Sequence, residues 1–322
     1  MSTFKEIRGQ LIRSLSSDPS PATAGDMWYN STSQTLKGVV LSGAWSSGGT
    51  MATARQGLAG FGIQTAAVGA GGYIPPNTNI TEEYNGSSWT GGGNLATTRG
   101  ALIAGAGTLT AGMIAGGFNG SNLNATEEYN GSSWTGGGNL TRSATRYVTV
   151  SGTQTAGLAF GGFTPPGTNA TEEYNGTSWT GGGNMNISSH NRAGAGTQTA
   201  SFAAGKEPTG GESETYDGSS WTAITAMNTA RQAAEGAGNS TAGLVFGGNS
   251  PAGVPVVGVN TESWDGSSWN NQANLSTGVR NHGTASQGTS SSALGFAGYT
   301  TASTAATEEF SYAATTKTFT TS

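Results

Sequence analysis

The chain of 322 residues has no cysteine, two histidines and only 10% charged side chains. Without cysteine it can form neither a disulfide nor a thiolate nucleophile. The only imidazoles are His190 and His282, so a zinc or iron site built from several of them is not expected. We therefore predict no metal centre and no cofactor.

Positive charge and long apolar runs are also scarce. The 13 Lys and Arg residues stand against 18 Asp and Glu, which gives a net charge of −5. Nucleic-acid binding needs clustered basic side chains to neutralise phosphates, so nucleic acid is not a predicted partner. No apolar run approaches the roughly 18 residues of a transmembrane helix, so no membrane insertion is predicted.

The chain is instead rich in glycine, with 55 residues, and it repeats internally. A tryptophan recurs every 42 to 48 residues, and most copies close a version of the phrase Thr-Glu-Glu-Tyr-Asn-Gly-Ser-Ser-Trp. The series is Trp45, Trp89, Trp134, Trp179, Trp221 and Trp269. A period in this range, with several short strands per repeat, is typical of a propeller or a related repeat array.

The repeat that ends at Trp134 predicts four short strands, which we name A to D. They cover residues 100–107, 111–117 and 125–129, and the strand that carries Trp134. Four antiparallel strands per repeat predict an all-β fold, a six-bladed β-propeller over residues 46–322 with residues 1–45 as a short N-terminal extension. The pair Asn130-Gly131 predicts a two-residue type I′ hairpin turn, which requires positive φ at both positions.

The sequence also suggests how the ring closes. Counting strand sets from Ser46 assigns all four strands of blade six to the C-terminal end, with Phe319 where a tryptophan would fall. Residues 27–45 hold extra strand-like pieces that end in Trp45. They either clasp the ring where the first and last blades meet or pack outside it, and a seventh, irregular blade is a further alternative.

One glutamate recurs in strand C of every blade, on the same face as the aromatic residue two positions later. These residues are Glu82, Glu127, Glu172, Glu214, Glu262 and Glu308. Arginines recur after the tryptophans at Arg55, Arg99, Arg231 and Arg280, and at shifted positions at Arg142, Arg146 and Arg192. A ring of acids for catalysis or metal binding is one interpretation. We favour structural pairing with arginine or backbone, because a role repeated in every blade usually belongs to the scaffold. The repeated tryptophans are assigned to the scaffold as well.

The loops between strands B and C differ most from repeat to repeat, whereas the A–B and C–D turns are close copies. In an up-and-down blade the B–C and D–A loops emerge on one face, so one face is uniform and the other diverse. Binding residues are often carried on loops held by a rigid scaffold. We therefore predict that the diverse face binds a ligand through Tyr73, Phe118, Phe163 and Tyr299. Unconstrained drift of the loops is the alternative.

A Gly-Gly pair, then Glu-x-Tyr, then Trp, in about 45 residues, resembles a kelch repeat. The resemblance covers residues 46–320, and its spacing of five from Tyr to Trp is shorter than usual, which implies a tighter C–D hairpin. Kelch propellers include copper oxidases similar to galactose oxidase, whose site needs two His, two Tyr and a Cys cross-linked to one Tyr. The lack of cysteine excludes that chemistry here.

The segment from Gly25 to Lys37, Gly-Asp-Met-Trp-Tyr-Asn-Ser-Thr-Ser-Gln-Thr-Leu-Lys, follows a Pro/Ser-rich linker. It resembles short modules in tail-fibre and other virion proteins of bacteriophages, notably marine phages with kelch-like repeats. The resemblance covers about 30 residues. It implies a virion component in multiple copies, whose residues 1–45 dock on other virion proteins and whose propeller is exposed on the surface of the tail or capsid.

The expected function is therefore that of a non-enzymatic structural protein of a bacteriophage, a tail fibre or a surface-exposed decoration or adhesion component. Its expected ligands are host-surface glycans or a receptor. Two alternatives remain open at this point. One is a bacterial extracellular carbohydrate-binding propeller, and the other is a propeller hydrolase or lyase with its site in the propeller mouth.

Overall fold

The computed structural model describes residues 12–101, 105–208, 210–249 and 257–319, and every regular element within these ranges is a β-strand. The chain forms two compact units. The small unit comprises Met1–Ala44 and Tyr312–Ser322, and the propeller unit comprises Trp45–Ser311. We expected one boundary, between residues 45 and 46. The propeller unit instead begins at Trp45 and ends at Ser311, and the residues after Ser311 belong to the small unit. Across the described ranges, no helix is long and apolar enough to cross a membrane.

The small unit is organised around the buried Trp28. It contains β1 (Arg13–Leu15), β2 (Met27–Asn30) and most of β3 (Thr35–Ser47), with β1 parallel and β3 antiparallel to β2. The carboxylate of Asp18 accepts hydrogen bonds from Trp28 Nε1 at 3.1 Å and Asn30 Nδ2 at 2.8 Å, and pairs with Lys37 Nζ at 2.8 Å. The bond from Lys37 contributes most to the lowered pKa of Asp18. Asp18 therefore ties the linker to the hairpin.

The propeller unit contains five four-stranded antiparallel sheets, each in the order A-B-C-D, and a sixth sheet described below. Blade one is β4 (Ala59–Ile63), β5 (Ala66–Ala70), β6 (Thr81–Tyr84) and β7 (Trp89–Gly91). Blade two is β8 (Ala106–Thr108), β9 (Ala111–Ala115), β10 (Thr126–Tyr129) and β11 (Trp134–Gly136). Blade three is β12 (Thr149–Thr153), β13 (Ala156–Phe160), β14 (Thr171–Tyr174) and β15 (Trp179–Gly181).

The remaining blades follow the same plan. Blade four is β16 (Ala193–Thr197), β17 (Ala200–Lys206), β18 (Gly210–Tyr216) and β19 (Trp221–Ile224). Blade five is β20 (Glu235–Gly238), β21 (Gly243–Phe246), β22 (Thr261–Trp264) and β23 (Trp269–Asn271). Blade six contains β24 (Gly283–Thr284), β25 (Ser292–Phe296) and the first part of β26 (Thr307–Phe319). The A strands contact one another in cyclic order, from β4 through β8, β12, β16 and β20 to β24 and back to β4. This closed cycle confirms the predicted six-bladed β-propeller.

The outermost strand of blade six comes from the N-terminal side of the ring, so the assignment of all four strands to the C-terminus was wrong. Gly48 N donates to Thr307 O at 2.9 Å, as Gly92 N donates to Thr81 O at 3.0 Å in blade one. The ring of Trp45 lies 5.2 Å from that of Phe310. Trp45 is therefore the strand-D tryptophan of blade six, not a clasp before blade one. Phe319, expected to replace it, belongs to the small unit.

The repeated tryptophans join neighbouring blades. In most blades the indole Nε1 donates to the hydroxyl of the threonine that opens strand C of the preceding blade. These bonds run from Trp45 to Thr261, Trp89 to Thr307, Trp134 to Thr81, Trp179 to Thr126 and Trp221 to Thr171, at 2.9–3.0 Å. Trp269 donates instead to the carbonyl oxygen of Thr225. Each indole buries its apolar body and satisfies its one donor, which makes it a directional link between sheets.

A second link between blades is a hydrogen bond from a tyrosine hydroxyl to the glutamate that directly follows the repeated one. The sequence analysis did not identify this second glutamate. Tyr84 Oη donates to Glu309 at 2.5 Å, Tyr174 to Glu128 at 2.5 Å and Tyr216 to Glu173 at 2.6 Å, and Tyr129 donates likewise to Glu83. Burial, with help from the carboxylate, raises the pKa of Tyr84 to about 12. The phenols therefore stay protonated donors at any physiological pH.

The repeated glutamates lie in the scaffold contacts that we favoured. Four of them form direct ion pairs with buried arginines: Arg55–Glu82 at 2.5 Å, Arg99–Glu127 at 2.5 Å, Arg192–Glu214 at 2.8 Å, and Arg231–Glu262. In blade three, Glu172 accepts from the backbone N–H groups of Thr141 and Arg142. Buried pairs of this kind fix geometry more surely than they add stability.

The predicted type I′ turn is wrong. Tyr129 pairs with Trp134, which leaves the four residues from Asn130 to Ser133 as the loop, and only Gly131 has positive φ (90°). Asn130 Oδ1 accepts from Ser132 N at 3.0 Å and Ser133 N at 2.9 Å. The asparagine thus acts through its side chain as an Asx turn, which the Asn-Gly signal alone does not distinguish.

Glu235 is a buried acid for which the described residues supply no hydrogen-bond partner to either oxygen. It opens β20, where other blades have Ala59, Thr149, Ala193 or Gly283. Burial raises its pKa well above the ordinary value of 4.5. The folded state therefore favours the neutral carboxylic acid.

Trp45→Ala should lower the free energy of unfolding by about 3 kcal/mol, because it removes a half-buried indole and its interblade bond. Phe319→Ala, in which an aromatic ring 41% exposed is lost, should cost less than about 1 kcal/mol. Urea unfolding followed by tryptophan fluorescence and circular dichroism measures both. Equal costs would contradict the assignment of Trp45 to blade six.

Glu235→Gln should remove a loss of stability that wild type suffers at rising pH. Because burial raises the pKa of Glu235 in the folded state, wild type has its full stability below about pH 4.5, where the carboxyl is protonated in both states. The free energy of unfolding then declines as the pH rises towards the folded pKa. Over that window the stability of wild type should fall relative to the variant by about 1.4 kcal/mol per pH unit. Denaturant unfolding between pH 4.5 and 8 tests this, and parallel pH profiles would refute it.

Candidate functional site

The six B–C loops begin at one equivalent position, and a backbone bridge fixes each start. The bridges pair Gln56 with Tyr73, Gly100 with Phe118, Arg146 with Phe163, His190 with Glu207, Gln232 with Asn249, and Arg280 with Tyr299. All four aromatic residues predicted as ligand contacts therefore occupy the same place in their blades. Blades four and five have a glutamate and an asparagine there.

The residue after each inner bridge partner has a left-handed backbone. These residues are Gly57, Ala101, Tyr147, Asn191, Ala233 and Asn281, with φ between 49° and 59°. They lie just before the A strands, and we call the opening that they surround the mouth. Backbone hydrogen bonds join neighbours across blades, for example Gly57 N to Asn281 O at 2.7 Å and Tyr147 N to Ala101 O at 2.8 Å. A left-handed conformation costs a non-glycine residue about 1–2 kcal/mol, which these bonds help to offset.

A cavity of about 340 Å³ occupies the mouth on the side of blades one, two, three and six. Its walls are Gln56, Gly57, Tyr73, Asn77, Ala101, Phe118, Arg146, Tyr147 and Asn281. Two of the predicted aromatic contacts, Tyr73 and Phe118, line it together. Tyr73 is 43% exposed, so part of its side chain is accessible to a ligand.

Arg146 is the charged group of this cavity. Its guanidinium carbon lies 5.0 Å from the ring centroid of Phe118, 4.8 Å from that of Phe163 and 5.6 Å from that of Tyr147. No ion pair of Arg146 with a carboxylate occurs among the described residues, and its buried Nε has no partner there. Three aromatic rings therefore hold a cation that still has donors for a ligand.

Asparagines tie the loops around the mouth in sequence. Asn77 Nδ2 of blade one donates to Phe118 O of blade two at 2.7 Å, and Asn122 Nδ2 donates to Phe163 O of blade three at 3.2 Å. The first contact requires Gly100, because a Cβ there would lie 2.6 Å from Asn77 Oδ1. These bonds hold Phe118 and Phe163 in place before any ligand arrives.

His190 extends the aromatic cluster away from the cavity. Its ring lies 4.7 Å from that of Phe163, and its Nε2 is 3.8 Å from a carboxylate oxygen of Glu207. Burial lowers the pKa of His190, Glu207 opposes the shift and Arg146 adds to it. At neutral pH the imidazole is therefore neutral, and Arg146 dominates the local charge.

The other predicted residues stand apart from the cavity. Phe163 does not line the cavity but packs against the guanidinium of Arg146. Tyr299 packs against Arg280, whose guanidinium carbon lies 4.8 Å from the centroid of the Tyr299 ring. Sequence reasoning missed Arg146, Tyr147 and Asn77 as parts of one site. The available signal was the position of Arg146, which does not follow the spacing of the arginines that pair with the repeated glutamates.

No family model matches this chain, and no curated protein matches its sequence. The fold and the cavity therefore rest on the structure itself. Chemically, the mouth presents flat aromatic faces, a guanidinium, and the amides of Gln56, Asn77 and Asn281. Such a set can stack on one face of a polar ring and hydrogen-bond to its hydroxyl or carboxylate groups.

Proposed function

We propose that this protein is a non-enzymatic, kelch-like binding propeller of a bacteriophage virion and that its mouth binds a host-surface glycan. The observation that carries the ligand class is the guanidinium of Arg146 among aromatic rings and amides in one cavity. The virion assignment is carried by the resemblance of residues 25–37 to phage tail-fibre and virion modules.

Several features of the cavity support a saccharide. Its volume of about 340 Å³ is at the small end of the range for small-molecule sites, which suits the terminal units of a glycan. Tyr73 and Phe118 supply ring faces on which a pyranose can stack. Arg146 and Asn77 supply donors for its hydroxyl groups, and a carboxylate on the sugar would pair with Arg146.

Binding without catalysis is favoured by the position of the carboxylates. Most glycoside hydrolases need two carboxyl groups flanking the scissile bond. None of the nine described residues that line the cavity is Asp or Glu. Four of the six repeated glutamates are held in ion pairs with buried arginines, which leaves them poorly suited to proton transfer. A hydrolase or lyase is therefore the weaker alternative.

The small unit suits attachment to a particle. Its strand β2 buries Trp28 and Asn30 on one face and exposes Met27 (40%) and Tyr29 (39%) on the other, and Leu41 is 57% exposed. Exposed large apolar side chains on a small ordered unit are candidates for an interaction surface. We propose that this unit docks on other virion proteins, that the protein is present in several copies, and that the propeller is exposed on the tail or capsid. A bacterial extracellular propeller is the alternative that shares the same ligand.

Glycan-array screening of the full chain tests the ligand. We expect binding to a subset of glycans, weakened about tenfold or more in Phe118→Ala and in Arg146→Gln. Ser132→Ala, in the C–D turn on the opposite face, is the matched control and should bind like wild type. Thermal unfolding must show that all variants are folded. Binding that all three variants retain would contradict a site in the mouth.

Mass spectrometry of purified particles of the virus that encodes the chain tests the virion assignment. We expect peptides of this protein at a level that corresponds to several copies per particle. Limited proteolysis of intact particles should release peptides of the exposed propeller. If the protein is found only in lysed host cells and never in particles, the virion proposal is wrong.

A further inference from the structure

Blade six has no arginine at any of the positions from which the other five blades place one near the repeated glutamate. Glu308 accepts hydrogen bonds from Ser276 N at 2.8 Å and Thr277 N at 3.3 Å. The same two backbone bonds reach Glu127 in blade two from Ala96 and Thr97, but there Arg99 also pairs with the carboxylate. Glu308 has no ion pair with a described residue, and unlike its buried equivalents it is half-buried.

Three positions of the repeat supply the arginine in the other blades. One holds Arg55, Arg99 and Arg231, the second holds Arg142 in blade three, and the third holds Arg192 in blade four. In blade six these positions hold Val279, Thr277 and His282. Arg280, which the sequence spacing grouped with the repeat arginines, is one residue further on and lies over Tyr299. The blade therefore keeps the acid and lacks all three sources of its cation.

The space that the missing arginine would fill is a cavity. It measures about 190 Å³ and is lined by Thr277, Val279 and His282 together with Phe296, Ala297 and Glu308, among others. All three substituted positions thus face the same space. Thr277, in the wall of this cavity, is itself exposed to solvent.

The acceptors that bind guanidinium elsewhere are present in this cavity. Nη1 of Arg99 donates to Gly116 O and Ala125 O at 2.9 Å each, and in blade three Arg142 Nη1 reaches the equivalent pair. The equivalents in blade six are the carbonyls of Ala297 and Ala306, which are joined by the same backbone bond as their counterparts and line the cavity.

His282 is an independent sign of an incomplete site. Its side chain lines the cavity, the residue is 1% exposed, and neither ring nitrogen has a partner among the described residues. An unmade hydrogen bond on a buried polar group is costly, so such groups usually have a partner. Burial lowers the pKa of His282 to about 3, so the imidazole is neutral and does not repel a cation.

We propose that the blade-six cavity binds a guanidinium group from outside the chain, either on a small guanidinium compound or on an arginine side chain of a partner. The carboxylate of Glu308 pairs with the group, and the carbonyls of Ala297 and Ala306 accept its remaining N–H bonds. A planar, weakly hydrated guanidinium fits these acceptors and the apolar walls of Val279 and Phe296 better than a compact ammonium ion does. This site is separate from the mouth and does not depend on glycan binding.

Isothermal titration calorimetry of the full chain with methylguanidinium chloride tests the proposal at constant ionic strength. We expect saturable binding to wild type, at least about tenfold weaker binding to Glu308→Gln, and weaker binding of methylammonium. Val279→Arg supplies the guanidinium within the chain, as Arg99 does, and should abolish the binding. Ile63→Arg adds the same charge at a site 46% exposed in blade one and should leave the binding unchanged.

The outcomes separate the possibilities. Equal binding to wild type and Val279→Arg, or no saturable binding to wild type, overturns the proposal. Thermal unfolding with and without methylguanidinium gives a second measurement, because only variants with an open site should gain stability. A blocked Gly-Arg-Gly peptide distinguishes the sources. If it competes with methylguanidinium, the site accepts an arginine side chain of a partner, and if it does not, the site is restricted to small compounds.

Discussion

The hydrogen bond from each strand-D indole to the preceding blade is the interaction on which the ring depends. Bulky apolar side chains of one blade pack against glycines of the next, as Phe61 does against Gly112, and such apolar contacts are not directional. The bond from Trp134 to Thr81, and its equivalents, fixes how far each sheet is displaced relative to the last. The phenol of Tyr129, bonded to Glu83, repeats this constraint nearby. The indole bond occurs at all six interfaces and the phenol bond at four of them, and these directional links make six sheets add up to a closed circle.

Much of this architecture could be predicted because the phrase that builds the outer half of each blade is short in sequence and repeated. The phrase that ends in Trp134 specifies strand C, its turn and strand D within ten residues, so its recurrence predicts the blades. A structural partner for Glu127 could also be anticipated, because an acid repeated in every blade usually belongs to the scaffold.

What the sequence did not reveal depends on contacts between distant segments. The contact of Trp45 with Phe310 of blade six joins residues more than two hundred positions apart, and no local sequence pattern indicates it. The mouth depends on residues with a left-handed backbone, such as Ala101 and Tyr147. Alanine and tyrosine rarely adopt that conformation, so the sequence does not predict it. Arg146 stood out only as an exception to the repeat. Its place in the site follows from its contacts with the rings of Phe118 and Phe163, which come from different blades.

The placement of Trp45 at the outer edge of blade six has a consequence for synthesis of the chain. The hydroxyl of Ser46 donates to the carbonyl oxygen of Glu309, so the outermost strand of blade six precedes the whole ring in the sequence and pairs with a strand that follows the other five blades. Until β26 has been translated, the end of β3 has no strand to pair with and the ring cannot close. A strand without its partner can pair with another chain. Aggregation should therefore be most probable during synthesis, when several unfinished copies lie close together on one polysome.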